Sequence, residues 1–297
     1  MISRDKANKI YELRKKGLSS VEIAEEAQVS VRTVQRYIKK MKLNTETNED
    51  ISDIAIQVSN MDSTTQGGHR VLVVPDIHAP FTKLKYLDFL KDLYNKYKCN
   101  TVVFIGDLVD IHTISSHPTN TSALGTISEY KQALDIVSKY AEAFPNAKYC
   151  LGNHCKRIMK QAASIGIPKE FLKSFRELYN LPDTWEISDS FIIDNVLYTH
   201  GTEFSGRNAL TTISNATHHS TVVGHAHSNF GIVYTNSGYD QLFILEVGCL
   251  IDLEAYAFEY GKSNKFKPVL GAGVVLSDSE AYAIPYFENG EINEYGT

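Results

Sequence analysis

The 297-residue sequence lacks the features of several special classes of protein. It has no apolar run near the ~18 residues that a membrane-spanning helix needs. Its first ten residues, MISRDKANKI, carry charges where a signal peptide needs an apolar segment. Its four cysteines include no C-x-x-C pair, which favours free, buried thiols over a disulfide framework. We therefore expect a cytoplasmic protein without a membrane partner.

The charge that is present is unevenly distributed. Residues 1–43 hold 11 basic and 5 acidic side chains, a net charge of +6. Because the net charge of the whole chain is −5, the remaining residues carry a net charge of −11. The acidic part shows no basic stripe of its own. A short basic segment before a long acidic body indicates two units with different partners.

Residues 1–43 have the pattern of three short helices. Gly17 ends the first helix, and Ser19 with Glu22 forms a capping-box pattern at the start of the second. Ser30 caps the third helix, whose apolar positions are expected to face inward; they are Val31, Val34 and Ile38. Residues 44–69 are polar around one apolar island and are interpreted as a linker.

From residue 70 to residue 297, apolar strands alternate with helices, which predicts an α/β domain. Helices are expected at about 83–98, 127–143, 156–179 and 206–217. Strands are expected at 71–74, 101–105, 147–151, 191–199, 221–223, 231–235 and 241–247, and two closing strands are expected after residue 270. Continuous apolar strands indicate a sheet covered on both faces. Because the end of the chain is rich in strands, a mixed α/β sandwich fits better than a purely parallel sheet.

Five strands end in side chains that can bind a metal. The candidates are Asp76, His78, Asp107, Asn153, His154, His200, His225 and His227. Ligands of open α/β sheets bind beyond the carboxyl ends of the strands, so these groups should converge. Gly106, Gly152 and Gly224 lie at the same strand ends, where we expect the backbone to approach a bound ion or phosphate.

The donor types narrow the choice of metal. Carboxylate, amide and imidazole groups suit Mn, Fe, Zn or a similar divalent ion better than Cu(I) or an iron–sulfur cluster. Seven ligands, the number when one of the five imidazoles is left out, are too many for one tetrahedral site but suit two ions that share a carboxylate. Each short motif alone is weak, whereas the ordered set of five is specific.

The series DIH, GDLVD, GNH, TH-G and GHAH resembles the calcineurin-like metallophosphoesterase superfamily over roughly residues 70–230. The resemblance implies a two-sheet metallophosphoesterase sandwich flanked by helices. It also implies two divalent ions, with Mn2+ favoured and Fe, Zn, Ni or Mg as alternatives. It assigns one ion to Asp76, His78, Asp107 and His227, and the other to Asp107, Asn153, His200 and His225.

The same resemblance implies the remaining roles. His154 would contact the phosphate and protonate the leaving oxygen, and Asp110 would support the ligands from behind. Two positions depart from the family pattern, because Cys155 replaces a frequent carboxylate and Ile111 replaces a frequent arginine. Arg157 is a candidate phosphate contact, since guanidinium pairs with phosphate oxygens. A helix-capping arginine at the surface is the alternative.

The N-terminal stretch GLSSVEIAEEAQVSVRTVQRYIKK resembles the helix-turn-helix segments of resolvases and transposases. That implies a small all-α DNA-binding domain over residues 1–43. The candidate DNA contacts are Arg32, Thr33 and Arg36 at base edges, and Lys39 and Lys40 at phosphates. A helical oligomerisation module is the alternative, and a homo-oligomer is compatible with the sequence.

Together these features favour a DNA-targeted phosphodiesterase or nuclease that uses a hydroxide bridging two metal ions. A phosphomonoesterase acting on phosphoprotein or nucleotide, tethered to DNA, is a second interpretation. A non-catalytic DNA-binding regulator is a third. The complete ligand set disfavours the third interpretation, because a binding module does not need it.

Overall fold

The computed structural model describes residues 68–115, 125–204, 212–213, 216–237, 240–255 and 265–288, together with 18–29 and positions 9, 13, 16, 31 and 34. The chain divides into two units, Met1–Asp62 and Ser63–Thr297. This division falls within the predicted linker 44–69, and the three predicted domain ranges stay predictions. None of the helices in the described ranges is both long and apolar enough to cross a membrane.

In the first unit, helix α1 spans Ser20–Ala27. The predicted capping box is confirmed: the amide of Ser19 donates to Glu22 Oε2 at 2.8 Å, and the amide of Glu22 donates to Ser19 Oγ at 3.4 Å. A small apolar cluster buries Leu13, Ile23, Ala24, Ala27 and Val34. Val31, which was expected to face inward, is 36% exposed, so that expectation is wrong.

The second unit contains two mixed sheets. The first has the order β11-β10-β1-β2-β3-β4, in which β1 to β4 are parallel and β10 and β11 are antiparallel to their neighbours. Its strands are β1 Val71–Val74, β2 Thr101–Phe104, β3 Lys148–Cys150, β4 Glu186–Ser188, β10 Gly271–Val275 and β11 Ala281–Pro285.

The second sheet has the order β5-β6-β7-β9-β8. Strands β6, β7 and β9 run parallel, whereas β5 and β8 are antiparallel to their neighbours. Its strands are β5 Ser190–Ile193, β6 Val196–Thr199, β7 Ser220–Val223, β8 Phe230–Asn236 and β9 Gln241–Val247. The predicted mixed sandwich is therefore confirmed.

Strand β1 shows why these strands read as continuous apolar runs. Successive side chains of a strand point to opposite faces of the sheet, so apolar side chains on both faces must each be buried by another layer. Val71 and Val73 pack with residues of the second sheet, such as Leu245. Leu72 and Val74 pack on the other face against the helices. These helices are α2 Lys85–Lys96, α3 Thr126–Ala143, α4 Arg157–Ser164 and α5 Phe175–Tyr179.

Three local expectations differ from the structure. The run 191–199 is a hairpin, because Asp194 and Asn195 adopt φ of 48° and 67°, as the central residues of a type I′ turn do. The expected helix 156–179 is broken into α4, a 3₁₀ turn at Lys169–Phe171 and α5; Gly166, with φ of 78°, and Pro168 interrupt it. Strand β4 was not predicted, and the expected helix 206–217 lies largely outside the described residues.

Candidate functional site

The candidate ligands follow parallel strands that end at a common edge. Asp76, Asp107 and Asn153 come after β1, β2 and β3 of the first sheet, and His200 and His225 come after β6 and β7 of the second. Parallel neighbours place their carboxyl ends together. Since the two sheets also pack face to face, one rim collects donors from both sheets.

The first group of donors is Asp76, His78 and His227, whose ligand atoms lie within 4.8 Å of one another. His227 Nε2 lies 3.2 Å from Asp76 Oδ2 and 3.1 Å from His78 Nε2. Two imidazole nitrogens and a carboxylate oxygen thus face one small volume. Asp76 and His78 are almost completely buried.

The second group is Asp107, His200 and His225, which also lie within 4.8 Å of one another. His200 Nε2 is 3.2 Å from Asp107 Oδ2 and 3.0 Å from Asn153 Oδ1. Asp107 Oδ2 also lies 3.8 Å from His78 Nε2, which belongs to the first group. Asp107 therefore stands between the two groups.

The charges of this rim suit cations. Burial opposes ionisation of Asp107, but His200 and His154 beside it hold the pKa of its carboxyl well below the usual value. Although burial favours the neutral imidazole, Asp107 and Asp76 raise the pKa of His200 to about 9. Asp76 Oδ1 is buried without a hydrogen-bond partner. Buried carboxylates with unsatisfied oxygens and clustered imidazoles fit divalent metal ions.

Three of these side chains stand on an unusual backbone. His78, Asp107 and His225 have φ of 52°, 32° and 65°, in or near the left-handed region that such residues seldom adopt. Backbone conformations of this kind concentrate at functional sites, where the surrounding structure maintains them. The turns after β1, β2 and β7 are therefore shaped to present these donors.

The three strand-end glycines make room for the donors themselves. A Cβ at Gly152 would lie 2.1 Å from Asp107 Oδ1, and one at Gly106 would lie 2.0 Å from His200 Nδ1. A Cβ at Gly224 would lie 2.8 Å from Asp76 Oδ1. The backbone was expected to approach a bound ion or phosphate at these glycines. In the structure it closely approaches the side chains of candidate metal ligands instead.

Asp110 connects the rim to His154. Its Oδ1 lies 2.8 Å from His78 Nδ1 and 2.6 Å from His154 Nδ1. Burial opposes its ionisation, yet its hydrogen bonds with His154 and His78 lower the pKa of this carboxyl. One carboxylate thus orients both imidazoles through Nδ1 and leaves their Nε2 atoms directed elsewhere.

His154 lies beside Asp107 and Arg157. Its amide donates to Asp107 Oδ1 at 2.8 Å, and its Nε2 lies 3.0 Å from Arg157 Nη2. Burial lowers the pKa of His154, but Asp107 and the hydrogen bond with Asp110 outweigh it and raise the pKa overall. Arg157 thus contacts His154 through Nη2. The Nη1 atom of Arg157 donates to the carbonyl of Asp110 at 2.8 Å.

Cys155 points away from this rim. It is fully buried among apolar residues, and its Sγ is in contact with Tyr149 Oη. Burial raises the pKa of the thiol to about 12, so it stays neutral. His154 nevertheless has a carboxylate partner, because Asp110 Oδ1 lies 2.6 Å from its Nδ1.

Sequence reasoning missed Glu129, a buried residue of α3. Its carboxylate accepts the amides of His112 at 2.5 Å and Thr113 at 3.2 Å, which fixes the loop after Asp110. A glutamate in a long helix gives no signal of this in the sequence. The five predicted DNA contacts lie outside the described residues; they are Arg32, Thr33, Arg36, Lys39 and Lys40.

Of the comparisons with known proteins, the match to a family sequence model is the one that bears on this site. No curated protein matches the chain significantly. Among solved structures it is similar to Yfce, a phosphoesterase from E. coli, with 15% identity and a TM-score of 0.36 over 72% of this chain and 97% of that one. The sequence model of the calcineurin-like phosphoesterase family matches residues 69–248, more than half of the chain and all seven candidate ligands. The chain belongs to the calcineurin-like phosphoesterase family and is a metal-dependent phosphoester hydrolase.

Proposed function

We propose that this protein is a DNA-targeted phosphodiesterase whose rim holds two divalent ions. The observation that carries the proposal is the place of Asp107, whose Oδ2 lies 3.2 Å from His200 Nε2 and 3.8 Å from His78 Nε2. A carboxylate between two sets of donors suits a pair of ions that share it. Asp76, His78 and His227 would complete one set, and Asn153, His200 and His225 the other.

Two divalent ions, when bound, lower the pKa of a water molecule and neutralise a phosphoryl group during in-line attack. The chain's own contribution is geometric and electrostatic. Asp110 holds His154 through Nδ1, and Nε2, which lies 3.0 Å from Arg157 Nη2, would carry a proton when that guanidinium nitrogen turns to the phosphate. We assign to His154 Nε2 the protonation of the leaving oxygen, a role typically worth about 10²–10⁴-fold.

Arg157 is assigned to the phosphate. Its Nη1 is held by the carbonyl of Asp110, while Nη2 lies 3.0 Å from His154 Nε2. A guanidinium fixed at one nitrogen loses little further freedom when the other meets a phosphate oxygen. Arg157 and His154 would thus act on the same phosphoryl group.

The DNA-targeting part rests on residues 1–43. Their balance of +6, the capping box of Ser19 and Glu22 and the apolar cluster around Ile23 are compatible with a helix-turn-helix domain. Arg32, Thr33 and Arg36 would meet base edges, and Lys39 and Lys40 would meet phosphates. Residues 44–69 would link this domain to residues 70–297.

The test compares metals and leaving groups. Chelator-treated protein is reloaded with Mn2+, Fe2+, Zn2+, Ni2+ or Mg2+, and the bound metal is counted. We expect two ions per chain, highest turnover with Mn2+, and a loss of metal in Asp107→Asn. A single ion per chain at saturation would contradict the shared carboxylate.

Turnover is then measured on an aryl phosphodiester, an aryl phosphomonoester, and single- and double-stranded DNA. His154→Gln should slow DNA cleavage far more than aryl diester cleavage, because an aryl leaving group needs little protonation. Preference for the monoester with DNA left intact would favour a phosphomonoesterase. Metal binding without turnover on any substrate would favour a regulator. Removal of residues 1–43 should abolish salt-sensitive binding of duplex DNA and leave aryl diester turnover unchanged.

A further inference from the structure

The segment after His154 is unusually exposed. It contains α4 (Arg157–Ser164) and the 3₁₀ turn Lys169–Phe171. Every residue from 163 to 171 is exposed. Because Gly166 and Pro168 interrupt the helix, this stretch covers little of the core and presents its side chains to solvent. We call residues 157–173 the exposed segment.

The exposed segment carries basic side chains at the surface, of which Lys173 is near enough to Glu177 to help lower the pKa of that carboxyl. Lys160, Lys169 and Lys173 are exposed, and none forms an ion pair with a residue in the described ranges. By contrast, Lys156 pairs with Asp189 at 2.6 Å, and Arg176 donates to the carbonyl of Trp185 at 2.6 Å. Residues 157–173 therefore carry four basic side chains and one acidic side chain, Glu170, within a domain whose overall balance is acidic.

Large apolar side chains stand among these lysines. Phe171 is 81% exposed, Ile165 is 74% exposed and Ile167 is 38% exposed. Exposed apolar side chains gathered in one place usually mark a binding surface, whereas single ones do not. Phe171 lies between Lys169 and Lys173 in the sequence, next to the exposed Glu170. An exposed phenyl ring with basic groups in the same segment suits single-stranded nucleic acid, since bases stack on the ring and phosphates meet the ammonium groups.

The exposed segment begins at the candidate site. Arg157, the first residue of α4, places Nη2 3.0 Å from His154 Nε2. Helix α4 has 8 residues, a length of about 12 Å, and its far end leads to the turn Lys169–Phe171, which packs against it. A small phosphomonoester would contact Arg157 only and would leave the rest of this surface unused.

We infer that the exposed segment binds the single strand of nucleic acid that leads away from the scissile phosphate. The inference rests on the proposed phosphodiesterase function and names its substrate as single-stranded nucleic acid. The lysines contact successive phosphates and Phe171 stacks on a base. Duplex DNA is the poorer partner at this surface, because its bases are already stacked on each other.

Binding is tested with the full chain in a chelating buffer, so that no cleavage occurs. The probe is a fluorescent single-stranded oligonucleotide of thymidines, and affinity is measured by anisotropy over a range of salt concentrations. For single strands the log–log salt slope changes by about 0.7 for each phosphate contact. The triple variant Lys160→Gln/Lys169→Gln/Lys173→Gln should therefore have a slope shallower by about 2. The control Lys131→Gln, on the exposed face of α3, should keep the slope of the unsubstituted chain.

Phe171→Ala should weaken single-strand binding by about 5- to 150-fold without changing the salt slope, since stacking carries no charge. Duplex affinity, to which residues 1–43 contribute, should not change. All of these side chains are exposed, so the thermal unfolding midpoints should match that of the unsubstituted chain. Equal affinities and slopes in every variant would overturn the inference. A change in oligomeric state in the triple variant, with oligonucleotide binding intact, would also overturn it by assigning the surface to a second copy.

The outcome is separable from that of the proposed function. If the chain hydrolyses an aryl diester but these variants bind the oligonucleotide as the unsubstituted chain does, the surface assignment fails and the phosphodiesterase stands. If the variants lose binding as expected but the metal-loaded chain cleaves neither DNA nor an aryl diester, the surface stands and the phosphodiesterase fails.

Discussion

Replacing Gly152 with alanine tests whether the rim depends on close packing of its candidate ligands. The added Cβ would lie 2.1 Å from Asp107 Oδ1 and 2.4 Å from the Asp107 amide nitrogen. Ordinary contacts between non-bonded heavy atoms begin near 3.5 Å. The carboxylate would therefore move by about 1 Å, and the hydrogen bond from the His154 amide to Asp107 Oδ1, now 2.8 Å, would be lost.

The cost has two parts. Overpacking a tight site typically costs about 1–3 kcal/mol, and a hydrogen bond to a charged group contributes about 1.5–3 kcal/mol. Gly152→Ala should therefore lower the free energy of unfolding by roughly 3–6 kcal/mol. A displacement of about 1 Å in a shared ligand should also reduce metal content, because ligand distances in metal sites vary by only about 0.2 Å.

Gly125→Ala is the matched control. Gly125 precedes α3 with φ of −65°, and apart from its chain neighbours no atom of the described residues lies within 4 Å of its added Cβ. Its free energy of unfolding should change by less than about 1 kcal/mol. Both variants are unfolded with urea without metal, and their metal content is measured after reloading. A Gly152→Ala protein that matches the control in stability, or that is destabilised but binds the full complement of metal, would refute this account of the glycine.

Three further outcomes follow from the same geometry. Glu129→Gln should lower the free energy of unfolding in urea by about 2 kcal/mol and reduce turnover, because a buried carboxylate holding the loop after Asp110 is lost; unchanged turnover would contradict this. Although burial opposes its charge, neighbouring carboxylates raise the pKa of His200 to about 9, so metal binding at pH 7.5 should release a proton from it. Calorimetry in buffers of different ionisation enthalpy would show this, and apparent affinity should rise with pH up to about 9; no proton release would refute the shift. Cys155→Asp should cost about 2–4 kcal/mol in urea unfolding, well above Cys155→Ala, because it buries a carboxylate against Tyr149.

The sequence was sufficient to predict which residues would meet at the rim. A carboxylate, amide or imidazole follows each of several buried strands. Because parallel strands end on the same side of a sheet, these side chains must lie close together at that edge. Asp76, Asp107 and His200 are far apart in sequence, yet His200 Nδ1 lies 3.5 Å from Asp76 Oδ1 and its Nε2 3.2 Å from Asp107 Oδ2. Apolar runs such as Val71–Val74 also predicted the sandwich. A strand whose two faces are both covered has apolar side chains at every position, whereas a strand with one solvent-exposed face alternates apolar and polar residues.

Loop conformation was beyond the same reasoning. Nothing in the sequence indicates that Asp107 or His225 adopts positive φ, because that conformation is stabilised by contacts distant along the chain, such as the His225 amide with Asp76 Oδ2 at 2.9 Å. The role of Glu129 is equally non-local, since it joins α3 to a loop seventeen residues earlier. The hairpin at Asp194 and Asn195 did carry a local signal, an Asp-Asn pair between two apolar runs.

Of the two positions that depart from the family pattern, Ile111 and Cys155, the first contacts Arg157. Ile111 adopts φ of 54°, which a β-branched side chain rarely takes, and its carbonyl and that of Asp110 lie 3.4 and 2.8 Å from Arg157 Nη1. The guanidinium thus reaches His154 from α4, although position 111 lacks an arginine. Asp110 meanwhile holds the His154 Nδ1 that Cys155 does not approach. Arg157 and Asp110 therefore contact His154 at its Nε2 and its Nδ1, although Ile111 and Cys155 depart from the family pattern.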